Sequence, residues 1–210
     1  IFEEVIKSGI HMFKEPVYGR RYIIGIDPSL GYEDGDFLEG VVLDYETMEE
    51  VCTFKDKVEQ SEFAELASNI GKHYNYAMIV PERNMGTSFI EWLRLLNYGR
   101  VYIDPTSNRT KPMFGIHMTR PVKREAINRF RFLLINQIYK PNSVQFIKDA
   151  LHFVWKTTQS GIYQKAEAAG TDENKVPYHD DSIMARLTLV AALDMRRWSK
   201  YATTENRRQV

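Results

Sequence analysis

The sequence lacks most of the features that would classify it at a glance. It has one cysteine, Cys52, which excludes an internal disulfide framework and fits a reducing compartment. No apolar run approaches the roughly 18–20 residues that cross a bilayer. Glu3, Glu4, Lys7, Lys14 and Glu15 stand where a secretory leader needs an apolar stretch, so neither a membrane protein nor a secreted one is expected. There are no internal repeats and no low-complexity tracts. No Gly-x-x-x-x-Gly-Lys-Ser/Thr loop occurs, so a nucleotide-driven motor is not expected from these residues. With one cysteine and scattered His11, His73, His117, His152 and His179, a closed structural zinc site is not expected either. The formal net charge is zero, which at first sight speaks against a polyanionic partner.

What is present describes an ordinary folded domain. At 210 residues, 43% hydrophobic and 27% charged, the chain is long enough for one domain with a substantial core. The zero net charge hides a segregation. Residues 1–82 hold 17 Asp and Glu against 7 Lys and Arg, whereas residues 83–210 hold 11 against 21. An acidic cluster that attracts cations beside a basic surface that attracts polyanions suits a metal-dependent nuclease, and charges balanced against a partner protein would give the same asymmetry.

Residues 1–20 read as a short amphipathic helix or linker, with Ile10 and Phe13 continuing an apolar face before a Pro16–Gly19 turn. Residues 21–27 (RYIIGID) form a β-branched run stopped by Pro28, which predicts a buried strand delivering Asp27 at its C-terminal end. Residues 37–45 and 49–55 predict two antiparallel strands, followed by a helix from Ser61 to about Tyr74. Residues 77–80 predict a strand ending at Pro81 and Glu82, residues 86–96 a helix, and residues 101–103 a strand. Pro121 suits the first turn of a helix running to about Tyr139. Residues 144–146 read as a brief strand, 152–164 as a hairpin, 165–178 as loop, and 180–197 as an apolar helix. Three strands before the first helix, then alternating elements, predict an α/β fold: a central mixed β-sheet flanked by α-helices, the ribonuclease H-like pattern.

Asp27 and Glu82 each follow an apolar strand, where open α/β sheets gather ligands. His179-Asp180-Asp181 opens the last helix, whose dipole favours anions at that end. Each of these acids has a plainer reading as a turn or cap residue, but one cap needs only one Asp. Asp36, nine residues after Asp27, is a further candidate, and a solvated loop acid is its plainer reading. Carboxylates of this kind suit Mg²⁺ or Mn²⁺, and a pair of such ions hydrolyses phosphodiesters.

Four segments then resemble a known family in order along the chain. YIIGIDPSLGYEDGD resembles the first nuclease motif of tailed-bacteriophage large terminase subunits, and PERNMG resembles their Glu-x-Asn motif. FGIHMTRP resembles the Gly-x-x-Thr segment that precedes a helix in these proteins, and YHDDSIMARLTLVAAL their His-Asp-Asp motif with its small-residue helix. The glycine after Glu82 comes slightly earlier than in relatives. The resemblance is to the C-terminal nuclease domain, on a fold shared with Holliday-junction resolvases and retroviral integrases. It implies Asp27, Glu82 and Asp181 as catalytic and metal-binding acids, with Asp180 and Asp36 as further metal candidates, and two Mg²⁺ or Mn²⁺ ions as cofactors. Asp181 stands four residues before Ala185, the spacing that the resolvase-like branch implies for its last ligating acid.

The same resemblance implies cutting of concatemeric double-stranded DNA during genome packaging in the host cytoplasm. In the full protein an ATPase domain, a portal protein and a small terminase subunit would be partners. The chain starts at Ile1, which leads us to expect an excised piece. On this expectation residues 1–20 are the linker after an absent ATPase domain, 21–198 a monomeric nuclease, and 199–210 a tail. DNA contact is expected from Arg109, Lys111, Arg120, Lys123, Arg124 and Arg131, although a solvated helix face gives the same pattern. The segment 163–178, near the last acids, is a candidate lid or hairpin gating DNA entry. Two rivals stand beside this reading: a resolvase or transposase using the same acids, and a non-catalytic docking module of the packaging motor.

Overall fold

A computed structural model of the chain describes residues 9–29, 37–108, 110–157, 164–171 and 180–194. Asp36, Arg109, His179, residues 1–8 and 195–210, and much of the candidate lid lie outside the described residues.

Five strands form the main sheet: β1 (Ile10–Met12), β2 (Tyr22–Asp27), β3 (Leu38–Asp44), β4 (Glu49–Asp56) and β5 (Met78–Pro81). Their order is β1-β4-β3-β2-β5. The first four pair antiparallel, while β5 runs parallel to β2 after the crossover through helix α1 (Gln60–His73). The sheet is therefore mixed, as the element order predicts. Helices α2 (Thr87–Leu95), α3 (Arg120–Ile135), α4 (Val144–Leu151) and α5 (Asp181–Ala192) complete the layers, and β6 (Phe153–Thr157) pairs with β7 (Gln164–Ala168) as a separate hairpin.

Alternation along the strands divides the core in two. Ile24, Ile26, Leu38 and Val42 point to the side where Phe63 and Ala67 of α1 and Phe89 and Leu93 of α2 pack. Ile23, Val41, Leu43 and Val80 point to the other side, against Ala126 and Phe130 of α3 and Ala185 and Leu189 of α5. Helix α5 comes unusually close to the sheet because Gly25 has no side chain. A Cβ there would collide with the Ala185 carbonyl and lie 2.7 Å from the Leu189 Cβ.

Four local expectations are corrected. The helix expected within residues 1–20 is instead, over Ile10–Met12, an edge strand on β4. Gly9 enters it at φ +72°, and the following Phe13 and Lys14 amides both donate to the Val51 carbonyl. The strand expected at 144–146 is helix α4, capped by Ser143, whose hydroxyl accepts from the Phe146 amide. Residues 165–168, expected as loop, continue from Gln164 as β7, the second arm of the hairpin expected over 152–164. Val101 and Ile103 make isolated bridges to Ile79 and Phe114 rather than a full strand.

Candidate functional site

The parity that divides the core also gathers the acids. Asp27 follows Ile23 and Gly25 at two-residue steps, so it belongs to the α5 side of β2; Glu82 follows Val80 in the same way on β5. Ile26 pairs with Pro81 in the parallel ladder, and the Glu82 amide donates to the Ile26 carbonyl at 3.0 Å. Asp27 and Glu82 are thus the next residues along two neighbouring strands. Helix α5 supplies the third acid. From the close approach of Ala185 to Gly25, one helical turn back leads to Asp181 and two residues along β2 lead to Asp27.

Asp181 is buried in the first turn of α5, where its Oδ2 accepts from the Phe37 amide at 3.2 Å. Asp180 occupies the N-cap position without making a capping hydrogen bond. Its Oδ2 instead lies 3.7 Å from Lys123 Nζ.

The electrostatics record the convergence. The Asp27 carboxyl is pushed well above its ordinary range, first by burial and then by the negative charges of Glu82, Asp181, Asp180 and Glu39. Burial pushes Glu82 up to about 7, with Lys123 opposing and Asp180 adding to the rise. Such uncompensated negative charge is relieved by protons or by a cation. All the donors are carboxylate oxygens, which suits a hard divalent ion. Among the described residues, no three His, Cys, Asp or Glu side chains already stand in an arrangement that would hold a metal. The acids share an electrostatic site without forming a closed coordination cage.

Two amide side chains shape the rim. Asn84 donates to the Met118 carbonyl at 3.2 Å and accepts from the Met118 amide at 2.8 Å, clamping the segment that leads into α3. Gly86 makes the short turn after Glu82 possible, since a Cβ there would strike the Glu82 carbonyl and the Pro28 ring. Buried Gln60 donates to the carbonyls of Pro28, Ser29 and Met85 and accepts from the Phe89 amide. It thereby ties the loop after β2 to the start of α2.

The sequence-predicted residues separate accordingly. Asp27, Glu82, Asp180 and Asp181 come together, whereas Asp36 and Arg109 lie outside the described residues. Arg120, Arg124 and Arg131 are exposed on α3, and Lys111 is exposed on the preceding loop. Lys123 is half-buried and turns toward Asp180 and the Phe153 ring, so it belongs to the acid site more than to that surface.

Two site neighbours escaped the sequence reading. Glu39 is buried and is the direct register partner of Asp27. Arg186 is fully buried in α5 and forks onto Glu50 through Nε (2.7 Å) and Nη2 (3.1 Å). A lone arginine inside DSIMARLTLVAA and an acid inside LEGVVLD were the available signals.

No family model matches the chain, and no curated protein sequence does. Solved structures are similar. The large terminase nuclease of thermophilic phage G20c superposes with a TM-score of 0.70 at 20% identity, over 89% of each chain. The same nuclease with bound magnesium gives 0.68 at 19% identity, over 88% of this chain and 87% of that one. The large terminase nuclease domain of Thermus phage P74-26 gives 0.64 at 19% identity, over 89% and 85%. With its mixed sheet and flanking helices, the chain has the ribonuclease H-like fold of phage large terminase nucleases.

Proposed function

We propose that the chain is a divalent-metal-dependent endonuclease that cuts double-stranded DNA, the nuclease part of a large terminase subunit. The observation that carries this reading is the convergence of Asp27, Glu82 and Asp181, from β2, β5 and α5, at one end of one sheet face. The fold likeness to terminase nucleases, one of them described with bound magnesium and another form with bound cobalt, supports it.

Asp27, Glu82 and Asp181 would hold Mg²⁺ or Mn²⁺, two ions on the mechanism we favour, with Asp180 beside them and Asp36 as a further candidate. Ions bound there supply electrophilic stabilisation of the phosphodiester and activation of the attacking water. The chain's own groups do the rest. Burial keeps the carboxylates out of bulk solvent, which strengthens their attraction for a cation. Lys123 sets an ammonium beside Asp180 and lowers the cost of ionising Glu82. Asn84 and Gln60 fix the two loops that bear on the acids. The exposed basic stripe of α3 would bind phosphates without reading sequence. In the whole protein, an ATPase domain, portal protein and small terminase subunit would be its partners.

Plasmid and linear duplex DNA incubated with the chain and Mg²⁺ or Mn²⁺ should be cut, and EDTA should stop the reaction. Asp27→Ala and Asp181→Ala should abolish cutting while the circular dichroism spectrum is retained. Undiminished cutting by both variants would reject the site. Preferential cutting of four-way junctions over duplex would replace the terminase reading with a resolvase one.

A further inference from the structure

We infer that Glu39, presented by the buried Arg186, is a fourth carboxylate of the acid site and acts on a bound divalent ion through its neighbour Asp27. The inference rests on the metal-dependent reading above.

Glu39 and Asp27 face each other directly across the antiparallel β2–β3 pair. Directly opposed residues project to the same side of a sheet with their Cβ atoms about 5 Å apart. That side is the one covered by α5, because Val41 and Leu43 alternate with Glu39 and pack there. Glu39 is only 6% exposed, so its charge is held inside the protein.

Among the described residues Arg186 alone lies within ion-pair distance of it, and its charge is mostly engaged elsewhere; Lys55, the register partner of Glu39 on β4, eases its ionisation from farther off and sets its ammonium over the Phe37 ring at 4.8 Å. Nε and Nη2 fork onto Glu50, Nη1 donates to the Ser182 carbonyl at 2.6 Å, and only the longer 3.4 Å contact reaches Glu39 Oε1. Glu50 is further satisfied by the Tyr139 hydroxyl and by the amides of Asn142 and Ser143. A structural fork needs one carboxylate, and Glu50 already supplies it. Burying a second beside a shared arginine, with Lys55 turned to a ring, is costly unless a closer positive charge compensates it. A cation at Asp27 would do so.

The same guanidinium joins the two halves of the site. It holds the residue opposite Asp27 and the carbonyl of Ser182, the residue after Asp181. Glu39 is thus a positioning residue, and Arg186 fixes it relative to the first turn of α5.

The test compares Mn²⁺ binding, by calorimetry or by loss of the free-ion paramagnetic resonance signal, in the wild-type chain, Glu39→Gln, Glu39→Asp and Asp27→Asn. Thermal unfolding in EDTA is followed in parallel. Glu39→Gln keeps an oxygen for Arg186, so unfolding in EDTA should stay at the wild-type temperature or above it. Its Mn²⁺ affinity should fall about 10- to 100-fold, the usual effect of losing a supporting group. Glu39→Asp, which keeps the charge, should recover part of that affinity. If Asp27→Asn loses Mn²⁺ while Glu39→Gln binds it as the wild type does, this inference fails and the metal site stands. A wild-type chain that binds no Mn²⁺ overturns both.

Discussion

On the proposed function, Glu82 would bear on both stability and chemistry. Its folded pKa, about 7, lies above the ordinary 4.5, because burial disfavours the charged form. Glu39 is pushed up to about 6 chiefly by the same cause, against the pull of Arg186, and Asp27 is raised as well. A raised acid binds more protons in the folded chain than in the unfolded one. Its contribution to stability is therefore complete below the unfolded pKa and is lost as pH rises through the folded value. In EDTA the chain should lose stability between pH 5 and pH 7.5, with Glu82 accounting for at most about 3 kcal/mol. Asp44, Glu49 and Asp104 are shifted downward and act below this window, in the opposite sense. Urea unfolding at the two pH values should show the lower midpoint at pH 7.5, and Glu82→Gln should narrow the gap. A divalent ion prefers the ionised acids, so added Mg²⁺ should stabilise more at pH 7.5 than at pH 5. A wild-type midpoint independent of pH would contradict the buried-acid account.

Between elements, the contact that matters most for the site is α5 on β2. Gly25→Ala adds a methyl group facing a backbone carbonyl, that of Ala185, which has no side-chain freedom to move aside. Helix α5 has to lift, at a cost of about 1–3 kcal/mol. Asp181 would lift with it, and a displacement near 1 Å costs about 10²-fold in rate. Gly25→Ala should therefore melt earlier and cut DNA far more slowly, although residue 25 carries no functional group. Gly99→Ala is the control, because a Cβ at Gly99 meets nothing within 4 Å. Equal cutting by the two variants would show that the helix adapts.

The elements differ in how legible they are in the sequence. Strand β2, the β3–β4 pair, α1, α3 and α5 are visible because each has an apolar period and a clear boundary, such as the stop at Pro28 after Asp27 or the start of α3 at its Thr119 cap. Helix α4 was masked by β-branched Val144 at its start, where the Ser143 cap decided the outcome. The edge strand β1 is fixed by pairing with β4, some forty residues away in sequence, for example Ile10 with Phe54. Glu39 was illegible for a related reason. An acid in a strand declares its face only once the register with β2 is known. Likewise Arg186 stands out in an apolar helix, but its partner Glu50 is 136 residues away.

Over the whole molecule, zero net charge conceals a segregation of acids and bases. The acids converge at the end of β2 and β5, while Arg120, Arg124 and Arg131 lie exposed on α3. Their spacings of four and seven residues put all three on one stripe of the helix, well away from Ala126, Phe130 and Leu133, which face the core. On the proposed function this stripe meets phosphates, so DNA affinity should fall steeply with salt. In an Asp27→Asn background, which binds without cutting, the logarithm of affinity should fall linearly with the logarithm of salt concentration. Replacing Arg124 and Arg131 together by Ala should weaken binding to all sequences alike and reduce the magnitude of that slope by about 2, near one per phosphate contact. Lys123 turns inward to Asp180, so Lys123→Ala should leave the slope closer to the parent value while impairing cutting by a chain that retains Asp27. A slope unmoved by the double arginine variant would put the DNA path on another face and leave α3 as a solvated surface.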